Sequence, residues 1–256
     1  MHSPRRNLVS VACSFALLLS CVAQAAEFQP FVFIHAGDTE LGSPDLKGTT
    51  ERLAHLAERA NALGAAFVLI TGDITHGSKP EELKAFHDTL PLFKMPVKVI
   101  PGNHDKLELF RKHFGDDRYV FTHGNCDFIC LNTNLLSMPE GNAEEQAQWK
   151  WLEECLKESR QKNRTHLFVA MHHPLASVHR MDNLLAKYGV EVVLCGHLHT
   201  TEERHDKGYS VYITPGTAKF RDANGLGYRV FKVSKGRIEQ QFIPVSKEAT
   251  GPRAEP

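Results

Sequence analysis

The chain predicts an α/β layered sandwich, with two sheets packed on each other and helices outside. Three observations point to it. Apolar runs of strand length alternate with segments of helical spacing between residues 31 and 195. A β-rich stretch follows at 210–243. No internal repeat, low-complexity segment or linker divides the chain, so one domain holds the core, and roughly 230 residues are ample for it.

The elements follow in order. Phe31-Val32-Phe33-Ile34 is the first apolar strand. Residues 49–63 read as a helix, because Leu53, Leu56, Ala57 and Ala60 recur at helical spacing and Gly64 closes it. Residues 66–70 form a second buried strand, and Lys79-Pro80-Glu81 opens a helix running to about Leu90. Val97-Lys98-Val99-Ile100 is a third strand, followed by a short helix at 106–113. Residues 119–121 and 127–132 pair as a hairpin across Gly124-Asn125. Residues 144–161 form a long amphipathic helix that buries Leu152 with Trp149 or Trp151. Residues 166–171 and 190–195 are core strands with a helix between them, and 210–213 and 227–243 read as antiparallel hairpins. Residues 134–143, 176–184 and 201–208 read as loops, and the polar residues 246–256 as a frayed tail.

The first 25 residues stand apart. Arg5-Arg6 precede a mostly apolar stretch at 8–23 that ends in Ala23-Gln24-Ala25, the layout of a secretory signal cut after Ala25. The stretch is shorter than the ~20 apolar residues of a membrane span, and no second one follows. A periplasmic or secreted protein occupying residues 26–245 is therefore expected. Arg5-Arg6-Asn7-Leu8-Val9 resembles a twin-arginine export signal. Leu18-Leu19-Ser20-Cys21 resembles a lipoprotein cleavage site, although Leu19 suits it poorly. Without the leader, 28 basic residues face 30 acidic ones, and no basic run suggests a nucleic-acid surface. Cys126, Cys130, Cys155 and Cys195 remain; the first two sit four apart on one strand, about 13 Å, too far to bridge. Buried thiols are the expectation.

Five short segments carry the chemistry: Asp38-Thr39-Glu40, Gly72-Asp73, Gly102-Asn103-His104-Asp105, His172-His173-Pro174 and Gly196-His197-Leu198-His199. Each follows an apolar run, which places each at a strand end, where α/β sheets gather their ligands. Singly they are weak signals, since Gly-Asp and His-x-His are common. In this order they resemble the calcineurin-like metallophosphoesterase superfamily. Phe33-Ile34 before Asp38, Gly42, Phe114-Gly115-Asp116-Asp117 and Gln146-x-Gln148-Trp149 further resemble a subgroup, the calcineurin-like phosphoesterase-domain serine/threonine phosphatases.

The resemblance implies a four-layer α/β/β/α sandwich of two mixed sheets flanked by helices. It also implies two divalent ions, Mn, Fe or Zn, that activate a water for in-line attack on a phosphoric ester. By resemblance Asp38, Asp73 and His199 would hold the first ion, with Glu40 where the family has His. Asp73, Asn103, His172 and His197 would hold the second, Asp73 bridging the two. His104 would protonate the leaving group, with Asp105 holding its imidazole. Glu40 is open to three readings: a ligand, a hydrogen-bond partner of a water on the ion, or a change that loses the first ion. His173 is either a substrate contact or a loop cap, and His76 either faces the site or belongs to its loop. His35 is set aside, because residues 35 and 38 of a regular strand face opposite sides.

The expected activity is phosphomonoester hydrolysis, on a small-molecule or protein phosphoester. Cyclic-nucleotide or other phosphodiester hydrolysis is the alternative. A non-catalytic metal- or phosphate-binding protein, impaired at Glu40, is the alternative of another class. Retention of His104-Asp105 argues against the last, since a binder needs no leaving-group acid. Nothing in the sequence speaks to the oligomeric state.

Overall fold

The first strand, β1 (Phe31–Ala36), shows why two layers form on either side of it. Its side chains alternate, so Phe33 faces a second sheet while Ile34 faces helices. The structure is a computed structural model and describes residues 27–136, 142–174 and 179–245. The expected signal segment 1–25 and tail 246–256 lie outside the described residues, as do parts of the expected loops 134–143 and 176–184.

The chain continues through α1 (Leu46–Leu63), β2 (Val68–Thr71), α2 (Pro80–Thr89), β3 (Val97–Ile100) and α3 (Leu107–Phe114). Then come β4 (Tyr119–His123), β5 (Cys126–Cys130), the short α4 (Thr133–Leu136), α5 (Ala143–Gln161) and β6 (His166–Ala170). After α6 (His179–Lys187) and β7 (Val192–Cys195), the chain ends in β8 (Glu202–Asp206), β9 (Tyr209–Ile213), β10 (Gly227–Ser234) and β11 (Arg237–Pro244). Asp45 caps α1 by accepting from the Gly48 N–H, and Gly64 ends it in the left-handed conformation.

Two mixed sheets result. The first runs β11-β10-β1-β2-β3, with β1, β2 and β3 parallel and β10 antiparallel to β1. The second runs β4-β5-β6-β7-β9-β8, parallel in its middle and antiparallel at both edges. The expected hairpin across Gly124-Asn125 is present, pairing Phe121 with Phe128. Strand β8 replaces most of the expected loop 201–208. It consists of charged and polar residues on a sheet edge, so it carries no apolar alternation to reveal it. Lys207 and Gly208, both at positive φ, form the two-residue turn into β9.

Aromatic rings fill the space between the sheets. Phe33 stacks on Phe67 and Phe231 at 4.9 and 4.8 Å, and Phe128 stacks on Phe168 at 4.4 Å. Edge-on contacts of Phe33 with Phe128 and Phe168, at 5.3 and 5.6 Å, join the two sets. Each such pair contributes about 0.5–1.5 kcal/mol beyond its buried area. Leu53, Leu56, Ala57 and Ala60 of α1 cover the outer face of the first sheet. Trp149, Leu152 and Leu156 of α5, with Met181 and Leu185 of α6, cover that of the second. The four layers are therefore α/β/β/α. All four cysteines among the described residues are free, and Cys126, Cys130 and Cys195 are buried.

Candidate metal centre

The parallel strands β1, β2, β3, β6 and β7 all end at the same edge of the sandwich, and the chain turns sharply there. Asp38, Glu40, Asp73, His197 and His199 all lie at positive φ, between 35° and 69°. None of these residue types adopts that region without cost, and such strain collects at functional sites. Room comes from the neighbouring glycines. A Cβ on Gly102 would lie 2.1 Å from Asp73 Oδ1, and one on Gly196 would lie 2.4 Å from Asp38 Oδ2. The glycine preceding Asn103 thus admits the carboxylate that follows the adjacent strand β2, and the glycine preceding His197 admits the one that follows β1 of the other sheet.

His172 shows the local design. Its Nδ1 lies 2.9 Å from the carbonyl of Thr71, which only accepts, so Nδ1 carries the proton. Nε2 then points at Asn103 Oδ1, 3.0 Å away, and at Asp73 Oδ2, 3.3 Å away. His199 repeats the arrangement: Nδ1 faces the carbonyl of Pro215 at 3.4 Å, and Nε2 lies 3.5 Å from Glu40 Oε1. Imidazoles oriented this way by a backbone carbonyl are the usual state of metal-ligating histidines.

The ligand atoms of Asp38, Asp73 and His172 lie within 4.8 Å of one another, as do those of His172, His173 and His197. The backbone N–H of His197 donates to both Asp38 oxygens. Glu40 joins a different group, with His76 and His104. Asp38, Asp73 and Glu40 are nevertheless all buried at this one edge. Burial, together with the charges of Asp73 and Glu40, drives the Asp38 carboxyl well above its usual range despite His172. Burial also opposes the charge on Asp73, but the His172 contact and the His104 N–H outweigh it and hold this carboxyl at about 2. Burial disfavours a charged His172 too, yet Asp73 and Asp38 raise it to about 9. Burial and the His172 charge lower His197 and His173 to about 4, so both are neutral at pH 7, the form that binds metals. Crowded buried carboxylates, neutral imidazoles and one amide oxygen fit divalent Mn, Fe or Zn.

Asp105 corrects the expectation placed on it. Its carboxylate does not hold the His104 imidazole. It accepts from the N–H groups of Ile74, Thr75 and Gly102, each at 3.0 Å, and from the Thr75 hydroxyl at 3.1 Å. These donors occupy both of its oxygens and tie the Asp73 loop to the Asn103 loop. Burial pushes its carboxyl up to about 6 even against the three backbone donors. The His104 ring is held instead by its Nδ1, 2.9 Å from the carbonyl of His76, and it stacks on the His76 ring. The His104 N–H donates to Asp73 Oδ1 at 2.9 Å.

The other histidines divide. His76 lies at the site, with Nδ1 3.6 Å from Glu40 Oε2. His173 has Nδ1 2.8 Å from the Thr133 hydroxyl and packs against the His197 ring. His35 lies between the Thr71 and Thr214 hydroxyls, 2.9 Å from each, so both its nitrogens are occupied away from the centre. The subgroup features at Asp117 and Gln148 also have a physical role. Both bond to Asn132, and Asn134 two residues on donates to the Gly102 carbonyl. Lys219, from a segment with no motif, also reaches the site. Lys219 Nζ lies 2.5 Å from Glu40 Oε2.

The family model for calcineurin-like phosphoesterases matches residues 31–201. A probable glycerophosphodiester phosphodiesterase of Arcobacter nitrofigilis is 29% identical over 52% of this chain. That match spans only 56% of the relative's own length. The serine/threonine-protein phosphatase CPPED1 of Homo sapiens is 27% identical over 77% of this chain and 73% of its own. The solved structure of a dimetal phosphatase from Danio rerio superposes with a TM-score of 0.65 at 15% identity, covering 84% of this chain and 99% of that one. The chain belongs to the calcineurin-like phosphoesterase family.

Proposed function

We propose that the chain is a metal-dependent phosphomonoesterase. The observation that carries this is the convergence of Asp38, Asp73, Asn103, His172 and His197 at five strand ends, with His104 fixed beside Asp73. Two divalent ions bound there would clamp a phosphoryl group and lower the pKa of water for in-line attack. Asp73 would serve both ions, as the family resemblance implies. Asp105 keeps the loops bearing Asp73 and Asn103 in register through its four hydrogen bonds. His104 donates from Nδ1 to the His76 carbonyl, so the proton it would give to the departing oxygen is the Nε2 proton of its imidazolium form, leaving the neutral ring protonated at Nδ1. The preference for monoesters rests on the phosphatase relative, which matches more of this chain than the diesterase relative does. Export through the expected leader would put the substrate outside the cytoplasm.

The test is hydrolysis of p-nitrophenyl phosphate and its bis-ester, with Mn, Fe or Zn added and with a chelator. Chelator-sensitive turnover favouring the monoester is expected. Faster turnover of the bis-ester would assign the diesterase activity instead. No turnover of either by metal-loaded protein would remove the enzymatic reading.

A further inference from the structure

Among the described residues, Lys219 is the lysine drawn directly onto Glu40, a carboxylate assigned to the first ion. Its Nζ is 2.5 Å from Glu40 Oε2, and Glu40 is only 1% exposed. Among the described residues neither Glu40 oxygen takes a directed hydrogen bond, so the contact is ionic, not one of oriented donor and acceptor. Glu40 Oε1 also lies 3.5 Å from His199 Nε2, which brings the ammonium close to two of the four residues assigned to the first ion. A buried carboxylate needs a counter-charge, and here a side chain of the same chain supplies it.

We propose that Lys219 is a resident cation of the first-ion set, which a divalent ion must displace from Glu40 before it can bind there. The proposal rests on the two-ion reading of the centre. An ammonium and a divalent ion cannot share a buried carboxylate without strong repulsion. The Lys219 side chain is 24% exposed and ends a flexible stem, so it can withdraw toward solvent when an ion enters. Lys219 thereby weakens the first-ion set without contributing a ligand, while Asn103 and His172 of the second-ion set have no lysine against them among the described residues. It is a positioning residue for the metal content, and substitution acts through Glu40.

The experiment is calorimetric titration of Mn(II) into chelator-stripped full-length protein, with Lys219→Met and Lys219→Gln beside the wild type. In either variant one binding event should tighten at least tenfold while the other stays within threefold. In a Glu40→Gln background the same substitution should change neither event, since the pair that competes has been removed. Equal tightening with and without Glu40, or no tightening in either Lys219 variant, would overturn the proposal. A wild type that binds no Mn(II) at all would overturn the metal-centre reading itself, a result distinct from both.

Discussion

Gly102→Ala adds a single methyl group and aims it at the residue assigned to both ions. The new Cβ would stand 2.1 Å from Asp73 Oδ1, 2.3 Å from its backbone nitrogen and 2.8 Å from its Cγ. Asp73 must retreat by about 1 Å to restore ordinary contact distances. Its backbone cannot follow freely, because the Asp73 carbonyl accepts from the Glu40 N–H and Oδ1 accepts from the His104 N–H. Overpacking of this kind costs about 1–3 kcal/mol of stability. In a domain of this size that lowers Tm by roughly 2–12 °C, at about 2–4 °C per kcal/mol. The effect on function should be larger, since metal–ligand distances tolerate only about 0.2 Å and a 1 Å misplacement costs about 100-fold in rate. Metal analysis, thermal melting and p-nitrophenyl phosphate turnover on the same preparation would measure all three. A folded Gly102→Ala protein with full metal content and near-normal kcat/KM would refute the placement of Asp73 at the heart of the centre.

Other expectations can be checked alongside. His104→Ala should cut kcat by about 10²–10⁴-fold while metal content stays normal; a large loss of metal would show that His104 is a ligand instead. His35 is held neutral, with burial and the Arg229 charge lowering its pKa from 6.5 to about 3. A depressed folded-state value means that its contribution is complete above pH 6.5 and is lost as pH falls toward 3. Roughly 3 kcal/mol should therefore disappear between pH 6.5 and 4 in urea unfolding, and His35→Asn should flatten that slope. An acid slope unchanged by the substitution would contradict the assignment.

The site was legible in the sequence wherever a residue type and its neighbour on the chain carry the chemistry. Apolar runs ending just before Asp38, Asp73, Asn103, His172 and His197 predict both the strands and their common edge. What escaped depends on contacts between residues distant along the chain. The donors that occupy Asp105 come chiefly from backbone N–H groups about thirty residues earlier, so adjacency to His104 suggested the wrong partner. Lys219 reaches Glu40 across the fold from a segment with no motif, and no local signal announces it. Strand β8 forms because β9 offers it an edge, against the polar character of its own residues. The positive φ of five site residues is a property of the folded turns and could not be read from residue type.

The most direct test of the central claim is anomalous diffraction from crystals of the protein equilibrated with saturating Mn(II). Two peaks about 3.5–4 Å apart are expected. Asp73 should lie between them, with Asn103, His172 and His197 around one and Asp38, Glu40 and His199 around the other. Ordered Mn(II) bound elsewhere, or none at this edge of the sandwich, would contradict the account.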